Sequence, residues 1–198
     1  MKKTIISLSA LALTSSLSFG ALVRLDNTGA PGLGDNLDGI AVGDAPMTVS
    51  VPEIPGLTIT IHSLGPDGLL NATGTSLGIN GASDADTDAF ESAFGQFATF
   101  SFNQAVSITQ LDFTTFDNTG EVFNFGGVVI NNGDLSNGTT DVYDFVVPFE
   151  ITANTQFTIQ ATSGTIGIEA MTLTAVPESS SIALLGLGGL ATLLRRRR

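Results

Sequence analysis

Over residues 57–64 (LTITIHSL), Leu57, Ile59 and Ile61 alternate with Thr58, Thr60 and His62, a period of two that predicts a half-buried β-strand. The rhythm recurs at Ala98, Phe100 and Phe102, set against Thr99 and Ser101. Val106 and Ile108 share one parity and Leu111 and Phe113 the other, so a phase slip near Gln110 predicts a bulge. Segments 122–130, 142–149, 155–161 and 166–175 are rich in Val, Ile, Thr and Phe, and a shorter strand is expected over 47–51. Turn signals separate them at Asn80-Gly81, Asn118-Thr119-Gly120, Asn132-Gly133, Asn137-Gly138 and Ser163-Gly164. Only 87–95 carries a helical period. About eight to ten short strands at this spacing predict an all-β fold, an antiparallel β-sandwich of jelly-roll type.

Two runs follow neither rhythm, being uncharged and mostly apolar. Residues 5–17 follow Lys2 and Lys3 and lead into Ser18-Phe19-Gly20, whose small residues Ser18 and Gly20 suit signal-peptidase cleavage between Gly20 and Ala21. A signal helix and export are therefore expected. Residues 182–194 stand before Arg195, Arg196, Arg197 and Arg198, which the positive-inside rule keeps cytoplasmic while the preceding chain crosses. As a helix this run of 13 residues covers roughly 20 Å, against a hydrocarbon core of about 30 Å. Such a short segment suits brief retention at the inner membrane better than permanent anchoring.

Val176, Pro177 and Glu178, then serines, a short Gly/Leu-rich apolar helix and the terminal arginines, resemble the PEP-CTERM sorting signal of exported bacterial proteins. The usual motif is Pro-Glu-Pro, and Ser179 stands here at the third position. The resemblance implies recognition by an exosortase, a membrane transpeptidase-like enzyme, and removal of the tail near Pro177 and Glu178. It implies a final place at the cell surface or in the extracellular matrix.

Charge sharpens this organisation. Six of the seven cations lie in the two terminal clusters, so residues 21–176 hold Arg24 against eighteen carboxylates, a net of −17. A body so acidic repels phosphate backbones, which excludes nucleic acid as a partner. The chain divides into a signal peptide (1–20), an irregular leading segment with one short strand (21–55), a β-sandwich body (56–176) and a sorting tail (177–198). There are no cysteines, so stability must come from packing, hydrogen bonds or metal.

Candidate chemistry is sparse. Asp84, Asp86 and Asp88, with Glu91 nearby, place carboxylates at alternate loop positions, a pattern that suits Ca²⁺. The EF-hand spacing is not met, since Ala89 and Gly95 stand where Gly and Glu are required. Glu169 shares parity with Met171 and Leu173 and is expected to face or rim the core. With Arg24 as the lone cation of the body, an ion pair is not expected there, leaving a metal ion, a proton or backbone amides to satisfy Glu169. In this it resembles galactose-binding-like jelly-roll carbohydrate-binding modules, where an acidic residue of the last strand helps hold a structural Ca²⁺. His62, the single histidine, lies on a Thr-rich strand face, with Ser63 on the opposite face, so no Ser-His-Asp arrangement is signalled.

The phenylalanines at 97, 100, 102, 113, 123, 125, 145, 149 and 157 fall at strand positions and read as core. With no Trp and one Tyr, Tyr143, the usual sugar-stacking platform is nearly absent. Asn71-Ala72-Thr73 and Asn137-Gly138-Thr139 match the glycosylation sequon. The expected function is a non-enzymatic structural or adhesive role, associated with extracellular polysaccharide. A Ca²⁺-dependent carbohydrate-binding module and a glycan-active hydrolase are the alternatives.

Overall fold

A computed structural model describes residues 20–26, 40–41, 46–64, 69–80, 89–136 and 141–176. The regions expected to form the signal and tail helices, 1–19 and 177–198, lie outside these, as do Asp84, Asp86 and Asp88. The described chain is all-β and antiparallel. In order the strands are β1 (Ala21–Arg24), β2 (Ile40–Ala41), β3 (Met47–Ser50), β4 (Thr58–Leu64), β5 (Leu69–Ala72), β6 (Leu77–Asn80), β7 (Phe90–Glu91) and β8 (Phe97–Phe102). There follow β9 (Val106–Phe113), β10 (Val122–Phe125), β11 (Val128–Asn131), β12 (Asp141–Ile151), β13 (Phe157–Ser163), β14 (Thr165–Ile166) and β15 (Ile168–Ala175). Among the described residues no helix is long and apolar enough to cross a membrane.

One sheet has the order β12-β9-β15-β6-β5-β2, with β1 also paired to β15, and the second runs β11-β10-β13-β8-β4-β3. A small two-stranded sheet joins β14 to β7. The two large sheets share one hydrophobic core, because the alternation along strands such as β4, β10 and β13 sends every second side chain to a common interior. Rings bridge the layers: Phe113 of β9 meets Phe123 of β10 edge-on at 5.2 Å, and Phe149 of β12 meets Phe125 of β10 at 5.4 Å. Phe157 gathers Phe100, Phe102 and Phe125 around itself at 5.8, 6.1 and 5.1 Å. Edge-to-face and offset geometries of this kind add to the burial of apolar area.

The phase slip near Gln110 is a bulge: Thr172 of β15 faces Gln110, while Leu173 faces Ile108, leaving Thr109 without an opposite. Against β12 the irregularity is larger. Asp144 faces Gln110 and Phe149 faces Ile108, so residues 145–148 have no partner, and Val146 and Val147 stand 99 % and 75 % exposed.

Several expectations are corrected. The leading segment 21–55 holds three strands, β1, β2 and β3, and its Val23, Leu25, Val49 and Val51 are buried in the core. In place of the helical period over 87–95, the described part of that segment contains β7, held by β14, and a single 3-10 turn, Ser92–Phe94, ended by Gly95 at φ +63°. The run 122–130 is two strands, because Gly126 and Gly127 adopt φ of +57° and +94° and turn the chain back on itself. The described residues carry fifteen strands rather than eight to ten.

Candidate functional site

β1 forms because Val23 points inward while Leu22 and Arg24 point outward, and because β15 offers it an edge. The register pairs Ala21 with Leu173, Leu22 with Thr172, Val23 with Met171 and Arg24 with Ala170. Just beyond, the backbone amides of Leu25 and Asp26 both donate to the Glu169 carbonyl, at 2.7 and 3.2 Å. Glu169 itself is a bulge, since Ile168 faces Phe113 of β9 and Ala170 faces Asp112. The extra residue resets the parity, and its carboxylate leaves the line of Met171 and Leu173.

That carboxylate meets Arg24. The guanidinium donates from Nη2 to Glu169 Oε1, and it also clasps Asp26 bidentately, Nε to Oδ1 at 3.0 Å and Nη2 to Oδ2 at 2.9 Å. Among the described residues these are the ion pairs. Asp26 is 1 % exposed, Glu169 26 % and Arg24 36 %, so the fork carries a buried carboxylate out to the surface. The Asp26 hydrogen bond is the largest influence on Arg24 and raises its pKa. The expectation that Glu169 lacks an ionic partner is therefore corrected: the one cation of the body is spent on it. Oε1 of Glu169 is thereby taken up by the guanidinium.

Asp112 lies beside this group on the outer face of β9. Burial raises its pKa first, the Glu169 charge raises it further, and Arg24 opposes both. Arg24, Asp26 and Glu169 form, with Gly74, Thr75 and Thr114, the lining of an open depression of about 220 Å³. The Thr114 hydroxyl donates to the Thr75 carbonyl at 2.7 Å and ties the β9 end to the β5–β6 turn. The depression thus presents hydroxyls and carboxylates around one neutralised arginine.

A second acidic region surrounds the 116–121 turn. Glu121 is buried and accepts from the Asn118 backbone amide at 2.9 Å and side-chain amide at 3.2 Å. Asp134 accepts from the backbone and side-chain amides of Asn131, both at 2.8 Å, which lowers its pKa. Burial raises that of Asp141, and the charges of Asp117 and Glu121 add to the rise. Amides satisfy these carboxylates locally, and among the described residues no group of three or more His, Cys, Asp or Glu is arranged to hold a metal ion.

The other predicted residues fall as follows. Gly20 is exposed, directly before β1, and Ala21 opens that strand. Val176 lies at the end of β15, its amide donating to the Ala105 carbonyl at 2.8 Å. Pro177, Glu178 and Arg195 to Arg198 lie outside the described residues, so Glu169 alone of the four proposed metal ligands has a described place. His62 is half-buried opposite Thr99, and the buried Ser63 hydroxyl finds no partner among the described residues. Arg24, Asp26 and Asp112 were not singled out as a group by the sequence. The available signal was the isolation of Arg24 as a lone cation within an alternating LVRLD segment. No protein family, no curated protein and no solved structure matches this chain.

Proposed function

We propose that this chain is an exported bacterial protein, processed at both ends and serving a non-catalytic structural or adhesive role at the cell surface or in the extracellular polymer matrix. The observation that carries this reading is the confinement of six of seven cations to the two apolar tips, around a body of net charge −17. Signal peptidase would act between Gly20 and Ala21, and an exosortase-like transpeptidase near Pro177, with the tail held transiently in the inner membrane. Extracellular polysaccharide is the partner class this destination supplies.

The fold is compatible with handling at both ends. β1 and β15, the strands next to the two proposed cleavage points, are antiparallel neighbours, so Ala21 and Ala175 lie at the same end of one sheet. The points at which the two terminal segments join the body therefore lie on one side, where a single membrane surface could engage both segments. The strand order also supports reading the sandwich as a jelly roll. Taking β6, β8 to β13 and β15 in chain order, one sheet places first beside eighth, third and sixth, and the other places second beside seventh, fourth and fifth.

Mass spectrometry of the protein recovered from outside the cell tests the proposal. Ends at Ala21 and close to Pro177 are expected. A product in the cytosol that runs from Met1 to Arg198 refutes it.

A further inference from the structure

We propose that β1 exchanges between copies of this chain: the edge of β15 that β1 covers in one molecule also accepts β1 from a second. Along that edge β6 reaches only Ile168, through Leu77, so the stretch Ala170 to Leu173 is covered by β1 alone. Without β1 its backbone groups form an open template for an added strand. Every contact of the docked strand just described is local to β15 and the core beneath it: four register pairs, the Glu169 carbonyl, buried Val23 and Leu25, and the Arg24 fork. A copy supplied from outside would make the same contacts.

The connection is long enough for either copy to be used. Residues 27–39, thirteen in all with four glycines, separate Asp26 from Ile40. β2 lies three strand positions from β15, a distance of about 14 Å, whereas thirteen residues reach up to roughly 43 Å. With contacts equal, the balance rests on the effective concentration that the tether gives its own strand, on the order of millimolar. Dilute protein closes on itself, and crowded protein exchanges. Charge selects the meeting point: two bodies of net −17 repel, but the donated strand carries the body's one cation onto the acceptor's Glu169.

The chain's lack of cysteine makes the test direct. Leu22→Cys and Thr172→Cys are register partners on the outer face, and Val146→Cys, at a position 99 % exposed, reports random collision. Full-length single variants are mixed in mild detergent and 0.3 M salt at roughly 10 µM and at about 2 mM, then oxidised, and the linked products are mapped by peptide mass. At the higher concentration the 22–172 linkage between copies should exceed the 22–146 linkage about tenfold, and at the lower it should vanish. Equal yields at both concentrations, alongside a double variant (Leu22→Cys with Thr172→Cys) that closes only within one molecule, overturn the proposal. So does a double variant that forms no 22–172 bond at all, since β1 would then not occupy this edge. The readout is the same whether the chain begins at Met1 or at Ala21, so it is independent of how the ends are processed.

Discussion

Arg24 holds two carboxylates of unequal burial, and the consequences of breaking each contact differ accordingly. Arg24→Ala leaves Asp26, 1 % exposed, without its guanidinium. Losing one partner of a fully buried pair costs about 3–5 kcal/mol, and the partial exposure of Arg24 brings the expected loss to about 2 kcal/mol in urea denaturation. Glu169→Gln keeps the Asp26 fork and should cost less than about 1 kcal/mol. Equal losses would show that Asp26 does not depend on the arginine. Asp112 carries the opposite sign. Because burial raises its folded pKa, its charge weakens the fold at neutral pH, and that penalty is relieved as pH falls through the raised value towards the ordinary aspartate range. Asp112→Asn should therefore melt higher than the parent at pH 7, with the advantage shrinking on acidification. A constant difference across the titration would contradict this. None of it follows from counting parity along 166–175, because the bulge at Glu169 consumes one residue and turns the carboxylate towards β1.

β1 illustrates how a strand can be invisible locally and still be necessary. Four residues between an expected cleavage point and a Gly/Asp-rich stretch carry too short a pattern to register, and the strand exists because β15 has a free edge to offer. Its attachment is measurable: Leu25→Ala, at a fully buried position, should cost about 3 kcal/mol, while Leu22→Ala, at a position 47 % exposed, should fall within about 0.5 kcal/mol. Comparable small effects from both would mean that β1 is undocked in solution. Longer strands were legible because their alternation is sustained: β4 buries Ile59 and Ile61 as the pattern requires, and the slip near Gln110 surfaces as the unpaired Thr109. The short β5 and β6 were not, since Leu69–Ala72 and Leu77–Asn80 offer only four residues each and little β-branching. The helical period around Phe90 failed because β14 captures Phe90 and Glu91 as a strand pair, a contact made across more than seventy residues of chain.

The body as a unit is dominated by like charge, eighteen carboxylates against one arginine over residues 21–176. Screening shortens from about 10 Å at 0.1 M salt to roughly 3 Å at 1 M, so added NaCl should raise the melting temperature steadily. Millimolar Ca²⁺ compared with Mg²⁺ at equal ionic strength should give no further rise. An extra gain with Ca²⁺ alone would instead point to a bound ion, with Asp84, Asp86 and Asp88 the residues to substitute first. The gathering of positive charge at the two ends was legible because charge needs no three-dimensional context. The pairing of Arg24 with Glu169 was not, because it joins residues 145 apart through a bulge that no local pattern announces.

The departure of β12 from β9 bears on how such material ages. Identical sheets packed closely tend to fuse flank to flank into fibres. Here four consecutive residues lack a partner and one of them, Pro148, has no amide hydrogen to donate. That flank is a poor seed for cross-β growth. A dense deposit of this protein should accordingly show no cross-β growth through the β12 edge.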